Sequence, residues 1–340
     1  MKLLTVTVPC FNSQDYMKRC IESLLPAGNE IEILIIDDGS SDDTGKIADE
    51  YERTYPNIVH AIHKENGGHG SGVNAGMQLA DGMYFKVVDS DDWFDGDALE
   101  KLMRTLRNFE NRKDAPDLVV CNYVYDHLEE GRTKVMNYRN LFPIGQLCTW
   151  NEMGHFRPSQ YLIMHALVYK TEVLKGCGVH LPEHTFYVDN IFANQPLPYV
   201  ERIFYLDIDL YHYYLGREDQ SVNENVLMKR IDQQIKVTKI VSRQTDLTEV
   251  KLRYPKLAAY LCRNISIMMA ISSIHLLLIQ TEDAYRKRRQ LWQEIKARDR
   301  KLYTKLKYGT LSGFTYLPGK IGGWATLSGY RMAKKVVQFQ

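Results

Sequence analysis

Apolar residues in the first hundred positions switch repeatedly between unbroken runs and helical spacing. Leu3-Leu4-Thr5-Val6-Thr7-Val8 predicts a buried strand, and residues 13–25 then set Tyr16, Cys20 and Leu24 on one helical face. Glu32-Ile33-Leu34-Ile35-Ile36 predicts a second strand ending at Asp37-Asp38, with Ser41 and Asp42 placed to cap a helix over residues 44–54. A third strand over 57–62, a third helix over 71–80 and a fourth strand over 83–88 follow. Strand, helix, strand, helix, strand is the layout of a mainly parallel sheet with helices on both faces. A helix over about 97–108, a strand over 117–124 and a less regular stretch to about 220 come next, and beyond Val222 the spacing is helical. The predicted fold class is therefore α/β: residues 1–220 form a sheet domain, and residues 221–340 a helical, basic subdomain packed on it.

Open sheets of this kind bind ligands outside the carboxyl ends of their strands. The polar clusters of this chain fall at those ends. Pro9-Cys10-Phe11-Asn12 follows the first strand, Asp37 to Thr44 the second, residues 63–72 the third, and Asp89-Ser90-Asp91-Asp92 the fourth. The last cluster is the most informative, because Tyr84-Phe85-Lys86-Val87-Val88 empties into three carboxylates within four residues. An Asp-x-Asp there can offer oxygen ligands to Mg²⁺ or Mn²⁺ and leave positions for nucleotide phosphate oxygens. Taken alone it is as well explained by a solvated turn or a helix cap. Asp37-Asp38-Gly39-Ser40 likewise fits either a nucleotide pocket, a carboxylate accepting from a base N–H or ribose hydroxyl, or a plain strand-to-helix turn. Gly67-Gly68-His69-Gly70-Ser71-Gly72 sets backbone N–H groups before a helix, where anions bind. It lacks the Lys-Ser/Thr ending of a P-loop and follows the third strand instead of the first, so a loop over a diphosphate and an ordinary glycine turn both remain open.

Composition narrows the class. A chain of 340 residues with 44% apolar content can bury a substantial core. Its net charge of +1 conceals an asymmetry: residues 283–340 hold 14 Lys/Arg against 3 Asp/Glu. Cys10, Cys20, Cys121, Cys148, Cys177 and Cys262 form no CxxC and no zinc spacing, which reads as reduced, buried thiols of a cytosolic protein. The N-terminus enters a strand directly, with no targeting peptide evident. The apolar stretch over 265–279 is expected to be too short to cross a bilayer and to form a buried helix, with Ile267, Met268, Ile271, Ile274 and Leu278 as its core stripe.

Four ordered motifs carry a family resemblance. Pro9-Cys10-Phe11-Asn12, Asp37-Asp38-Gly39-Ser40-Ser41-Asp42-Asp43-Thr44, Gly72-Val73-Asn74-Ala75-Gly76 and Asp89-Ser90-Asp91-Asp92 resemble the family-2 inverting glycosyltransferases with the glycosyltransferase A fold, over roughly residues 1–220. The resemblance implies a nucleotide-sugar donor, most often a UDP-sugar. Asp38 would bond the nucleobase, Pro9 and Phe11 would shape the base pocket, and Asn12 and Asn74 would belong to the nucleotide site. Asp89 would lie near ribose and metal, Asp91 would ligate Mn²⁺ or Mg²⁺, and Asp92 would support the site by hydrogen bonding. Asp189, in His184-Thr185-Phe186-Tyr187-Val188-Asp189, would be the catalytic base. Two departures stand out: Val188 occupies a position where Glu is common, and Val73 one where many relatives have Arg. A cation near the donor is then expected from Lys64 or Arg217. His212 would be either a third metal ligand or a structural histidine among tyrosines.

The basic run Arg286-Lys287-Arg288-Arg289 and the aromatic and basic residues after it suggest contact of residues 283–340 with an anionic membrane, or else solvated packing helices. A glycan or lipid-linked acceptor in bacterial envelope or capsule synthesis, at the inner face of the plasma membrane, fits the first. No nucleic-acid module accompanies the charge, so no nucleic-acid partner is expected. Two other readings remain: a catalytically silent nucleotide-sugar-binding protein, and a sugar-1-phosphate nucleotidyltransferase, which would carry a Gly-rich basic loop where Pro9-Cys10-Phe11-Asn12 stands.

Overall fold

Parallel pairing brings the ends of the first strands level. In a computed structural model of the chain, β1 (Leu4–Cys10) pairs with β2 (Ile31–Asp37), β2 with β3 (Val59–His63), and β4 (Tyr84–Val87) flanks β1 on its other side. Cys10 stands opposite Asp37 and Asp37 opposite His63, so successive strands release their loops at one edge. The structure describes residues 2–127, 131–216, 224–317 and 319–337, and the chain divides into two compact units, Met1–Gly216 and Arg217–Gln340. The α/β class and the C-terminal helical region expected from the sequence are both present.

The sheet of the first unit continues through β5 (Trp93–Phe94), β6 (Leu118–His127), β7 (Arg132–Met136), β8 (Leu147–Cys148), β9 (Leu167–Lys170) and β10 (Ile203–Tyr214). The order is β3-β2-β1-β4-β9-β6-β10-β5, with β7 on β6 and β8 on β10. Only β9 reverses direction in the middle, antiparallel to both β4 and β6. The long strand β10 lies within the stretch whose pattern predicts irregular structure. Its register on β6 shifts on either side of Asp209, and bulges of this kind break the two-residue alternation by which strands are read.

Helices α1 (Met17–Leu24), α2 (Thr44–Thr54), α3 (His69–Leu79), α4 (Gly96–Phe109), α5 (Thr171–Gly176) and α6 (Asp189–Asn194) complete the unit. Helix α3 starts two residues before its predicted position, so Gly70, Ser71 and Gly72 form its first turn. Its glycines serve close packing. A Cβ on Gly72 would come within 3.1 Å of Pro9 Cβ, and one on Gly76 would overlap the Thr7 side chain. Gly76→Ala is therefore expected to cost about 1–3 kcal/mol through overpacking between α3 and β1, measured as a lowered midpoint in denaturant melts at unchanged slope.

The second unit contains α7 (Glu224–Lys229), α8 (Ile231–Arg243), α9 (Leu247–Arg253), α10 (Pro255–Ile279), α11 (Glu282–Arg298), α12 (Arg300–Gly309), a 3₁₀ turn (Leu311–Tyr316) and α13 (Gly319–Val337). Helix α10 touches α8, α9, α11, α12, the turn and α13, which makes it the centre of this unit. It corrects two expectations. At 25 residues, with a mean hydropathy of 1.6 in its most apolar window, it is long and apolar enough to cross a membrane, although 61% of that window is buried within the protein. Its buried stripe also differs from the predicted one: Leu261, Ile265, Met268, Met269, Ser272 and Leu276 are buried, whereas Ile267, Ile271, Ile274 and Leu278 are half-exposed. A helix apolar on every side does not reveal from its sequence which face the neighbours cover.

Candidate active site

The loops after β1, β2, β3 and β4 meet as the strand register requires. Asn12 has a left-handed backbone, φ 49°, and its side-chain oxygen accepts from Ser41 N at 2.9 Å, while its own N–H donates to Ser40 Oγ at 3.0 Å. Ser13 and Ser90 hydroxyls lie 2.9 Å apart, which ties the first loop to the acidic cluster. Phe11 is 53% exposed on the open side, whereas Pro9 is buried against α3. Pro9 thus packs against Gly72 at the start of α3.

Asp38 is 2% exposed, and its carboxylate is fully engaged by the glycine loop. Lys64 Nζ donates to Oδ1 at 2.6 Å, Gly67 N to Oδ1 at 2.9 Å and Gly68 N to Oδ2 at 2.7 Å. Gly68 has φ 81°, a conformation that L side chains adopt only under strain, and the turn it makes lets the two N–H groups converge on one carboxylate. Neighbouring Asp37 accepts from His63 Nδ1 at 2.9 Å and Ser40 N at 3.0 Å. Burial alone would raise the Asp37 pKa, but these bonds hold it below the usual carboxylate range.

Asn74 faces the segment leading to Asp189. Its amide donates to Leu181 O at 2.8 Å and accepts from Leu181 N at 3.0 Å. Farther along, Ser71 Oγ donates to Glu183 Oε1 at 3.1 Å and His184 N to Gly67 O at 2.7 Å. His184 and Tyr187 both have positive φ, 46° and 66°, so the chain is held in a strained turn immediately before α6. Asp189 opens α6, half-buried, and accepts from Asn190 Nδ2 at 3.3 Å.

His69 joins this segment to the metal-like motif. Its Nε2 lies 2.8 Å from Asp89 Oδ1, and its ring is within the electrostatic reach of Asp189 and Asp91. Burial works against a charged imidazole, yet the surrounding carboxylates raise the His69 pKa overall. Asp89 moves the other way: burial would raise it, but His69, with His165 and Lys86 behind it, keeps it ionised. Asp189 is raised, chiefly by burial and then by the negative charge of Asp89, against the opposing effect of His69. The site therefore holds one carboxylate kept charged and a second one made more basic.

Beneath these groups the sheet supplies a buried polar floor. Asp92 is fully buried, accepting from Tyr211 Oη and from Tyr214 N at 2.8 Å, and burial together with Asp91 and Asp89 pushes its pKa well up. Lys86 is also fully buried and donates to His165 O at 2.7 Å; desolvation lowers its pKa to about 7. Burial takes His165 down to about 4, and its Nδ1 has no hydrogen-bond partner among the described residues. Asp89, Asp92 and His165 bring their ligand atoms within 4.8 Å of one another. A hard divalent cation suits the ionised carboxylate of Asp89, while Asp92 already accepts from Tyr211 and Tyr214, and Asp91, between them in sequence, is half-buried.

His212 takes no place in that cluster. Its Nδ1 pairs with Asp126 at 3.1 Å and its ring stacks on Trp93 at 5.2 Å. Arg217 lies outside the described residues. The sequence pattern brings out the glycine loop and the Asp-x-Asp but passes over His69 and His165. His69 has a visible signal, a titratable side chain among glycines at a helix start; His165 has none, since its surroundings come from Lys86 of β4, Tyr123 of β6 and Tyr211 and Tyr213 of β10.

Residues 5–169 match the family model described as Glycosyl transferase family 2. Among curated relatives, the putative glycosyltransferase EpsH of Bacillus subtilis (strain 168) is 37% identical over 131 residues, which is 38% of this chain and 36% of that protein. The matched segment thus spans about a third of that relative's length. The uncharacterized glycosyltransferase YibD of Escherichia coli (strain K12) is 28% identical over 249 residues, 71% of this chain and 70% of the relative. Among solved structures, S. aureus TarS 1-349 in complex with UDP-GlcNAc superposes with a TM-score of 0.67 at 16% identity, covering 98% of this chain and 92% of that one. The mannosyltransferase PcManGT from Pyrobaculum calidifontis, in complex with GDP-Man and Mn²⁺, gives 0.51 at 15% identity over 98% and 86%. At such identities the two structures speak for the fold.

Proposed function

Because this chain belongs to glycosyl transferase family 2 and has the glycosyltransferase A fold, we propose that it transfers a sugar, with inversion, from a UDP-sugar to a hydroxyl of a glycan or lipid-linked acceptor. The observation that carries this reading is the contact of His69 with the carboxylate after β4, with the carboxylate at the start of α6 within the electrostatic reach of the same ring. Asp189 takes the acceptor proton, a task suited to a carboxylate whose basicity burial has raised. As the acceptor oxygen bonds to the anomeric carbon, the bond to the diphosphate breaks and its electron pair leaves with the nucleotide. Asp89 and Asp91 would hold Mn²⁺ or Mg²⁺, which would supply neutralisation of that leaving charge. Phe11 offers an exposed ring to the nucleobase, and Asp38 is close behind it, fixed by Lys64 and the Gly67 and Gly68 N–H groups. Asn12 and Asn74 act by holding loops: the one after β2, and the one that leads to Asp189. Lys64, which also bonds Asp38, and Arg217 are the two candidates for a cation near the diphosphate.

The proposal extends to a cytoplasmic enzyme of cell-envelope polysaccharide or glycoconjugate synthesis, peripheral at the plasma membrane through residues 283–340; the cation excess of that segment supports this part. A catalytically silent nucleotide-sugar-binding protein is the second reading, favoured by Val188 in place of a second acid. Calorimetric titration of UDP, GDP and UDP-sugars, first with Mn²⁺ and then with EDTA, tests the donor site. Binding of UDP that disappears with EDTA is the expected result, and absence of nucleotide binding in both conditions overturns the proposal.

A further inference from the structure

The second unit exposes large apolar side chains that its own packing does not use. Leu311, Phe314, Ile321 and Trp324 are 76%, 68%, 84% and 72% exposed. Tyr308 and Met332 are exposed as well. They lie on pieces that are closely joined. Thr326 Oγ1 donates to Phe314 O at 2.9 Å, Gly322 approaches the Leu317 backbone too closely for a Cβ to fit, and Gly313 does the same at Lys307 O. In α13 the usual arrangement of an amphipathic helix is reversed: Gly322 and Thr326 are buried, while Ile321, Trp324, Ala325 and Met332 face solvent.

Charge says what covers this corner. Residues 300–340 contain eight Lys/Arg and no Asp or Glu, and Arg300, Lys301, Lys305 and Arg331 are exposed. By contrast, much of the basic run of α11 is consumed inside the unit. Arg286 pairs with Asp283, Lys287 with Asp232 at 2.7 Å and Asp283 at 3.1 Å, and the buried Arg288 donates to Thr315 O. We infer that the corner over residues 308–332 docks on an anionic phospholipid bilayer. Its apolar side chains enter the boundary of the acyl region and its cations lie at the phosphate plane. A second copy of the chain fits the same face poorly, because pairing would set two acid-free, cationic segments against each other. The inference deepens the membrane part of the proposed function, moving the contact from the start of α11 to the end of α12 and beyond, and it does not depend on donor chemistry.

The full chain is mixed with vesicles of phosphatidylcholine alone or with added phosphatidylglycerol, and both sedimentation and tryptophan emission are followed. Trp150 and Trp292 are fully buried and Trp93 is half-buried in the first unit, so the part of a blue shift that Trp324→Ala removes reports on this corner. Expected are binding to the anionic vesicles only, weakening as salt rises, and a partition coefficient roughly tenfold or more lower in Ile321→Asp/Trp324→Asp. A far-ultraviolet circular-dichroism spectrum and thermal melt matching the parent's establish that the variant is folded, whether or not the chain binds UDP. Equal partitioning of variant and parent overturns the inference. So does a chain that ignores vesicles and instead forms dimers in sedimentation equilibrium which the same substitutions dissolve.

Discussion

Asp189→Asn is expected to lower sugar transfer by roughly 100- to 10,000-fold, the usual contribution of a general base, while UDP-sugar affinity in Mn²⁺ stays the same. The split follows from position: Asp189 opens α6 behind a strained turn, apart from the loops after β1 and β2 on which the nucleobase site is built. Stability should move the other way. A carboxyl whose folded pKa is raised above its unfolded value costs nothing while protonated in both states. As pH climbs through the unfolded and then the raised folded pKa, the folded protein must hold an unfavourable charge, and stability falls. Asn carries no such charge, so at pH 7 the variant should melt no lower than the parent, and a thermal melt checks it. Loss of donor binding together with transfer would mean that Asp189 holds the donor and is not the base.

Asp91→Asn should abolish the metal dependence of UDP binding and reduce transfer by roughly 100-fold or more, the order expected when neutralisation of a leaving diphosphate is lost. The effect should appear in binding as well as in turnover, unlike that of Asp189→Asn. Titration of UDP with Mn²⁺ and then EDTA separates the possible ligands. Metal dependence that persists in Asp91→Asn would transfer the role to the Asp89, Asp92 and His165 cluster. Asp92 is the weaker candidate, because its carboxylate already accepts from Tyr211 and Tyr214, and its raised pKa favours the protonated form.

Local residue choice was enough to indicate the parallel half of the sheet. Apolar runs ending at Pro9-Cys10-Phe11-Asn12, at Asp37-Asp38 and at Asp89 marked β1, β2 and β4, helical spacing marked the helices between them, and the register of parallel strands brings the following loops to one edge. Asp38, Asp89 and Asp91 were legible for that reason, and Asp189 through the resemblance of its segment to a family pattern. What those residues touch was not legible. That Asp38 is held by Lys64 and two glycine N–H groups, and that Asn74 clamps Leu181, depends on contacts between positions 26 to 107 residues apart.

The same limit applies to burial. Gly67-Gly68-His69-Gly70-Ser71-Gly72 left an anion loop and a glycine turn both open; the structure shows that Gly67 and Gly68 N–H groups bond Asp38, that His69 reaches Asp89, and that Gly72, with Gly76 beyond it, is small where α3 lies against β1. In α10 every face is apolar, so only the packing of neighbouring helices decided which residues are covered. In α13 the sequence set large apolar residues and small ones around one helix, and the tertiary structure turned the small ones inward. Period and composition determine which surfaces a segment can offer; the protonation of His69, Asp89 and Asp189, and the face of each helix that meets water, arise only when distant segments are brought within a few ångströms and water is excluded between them.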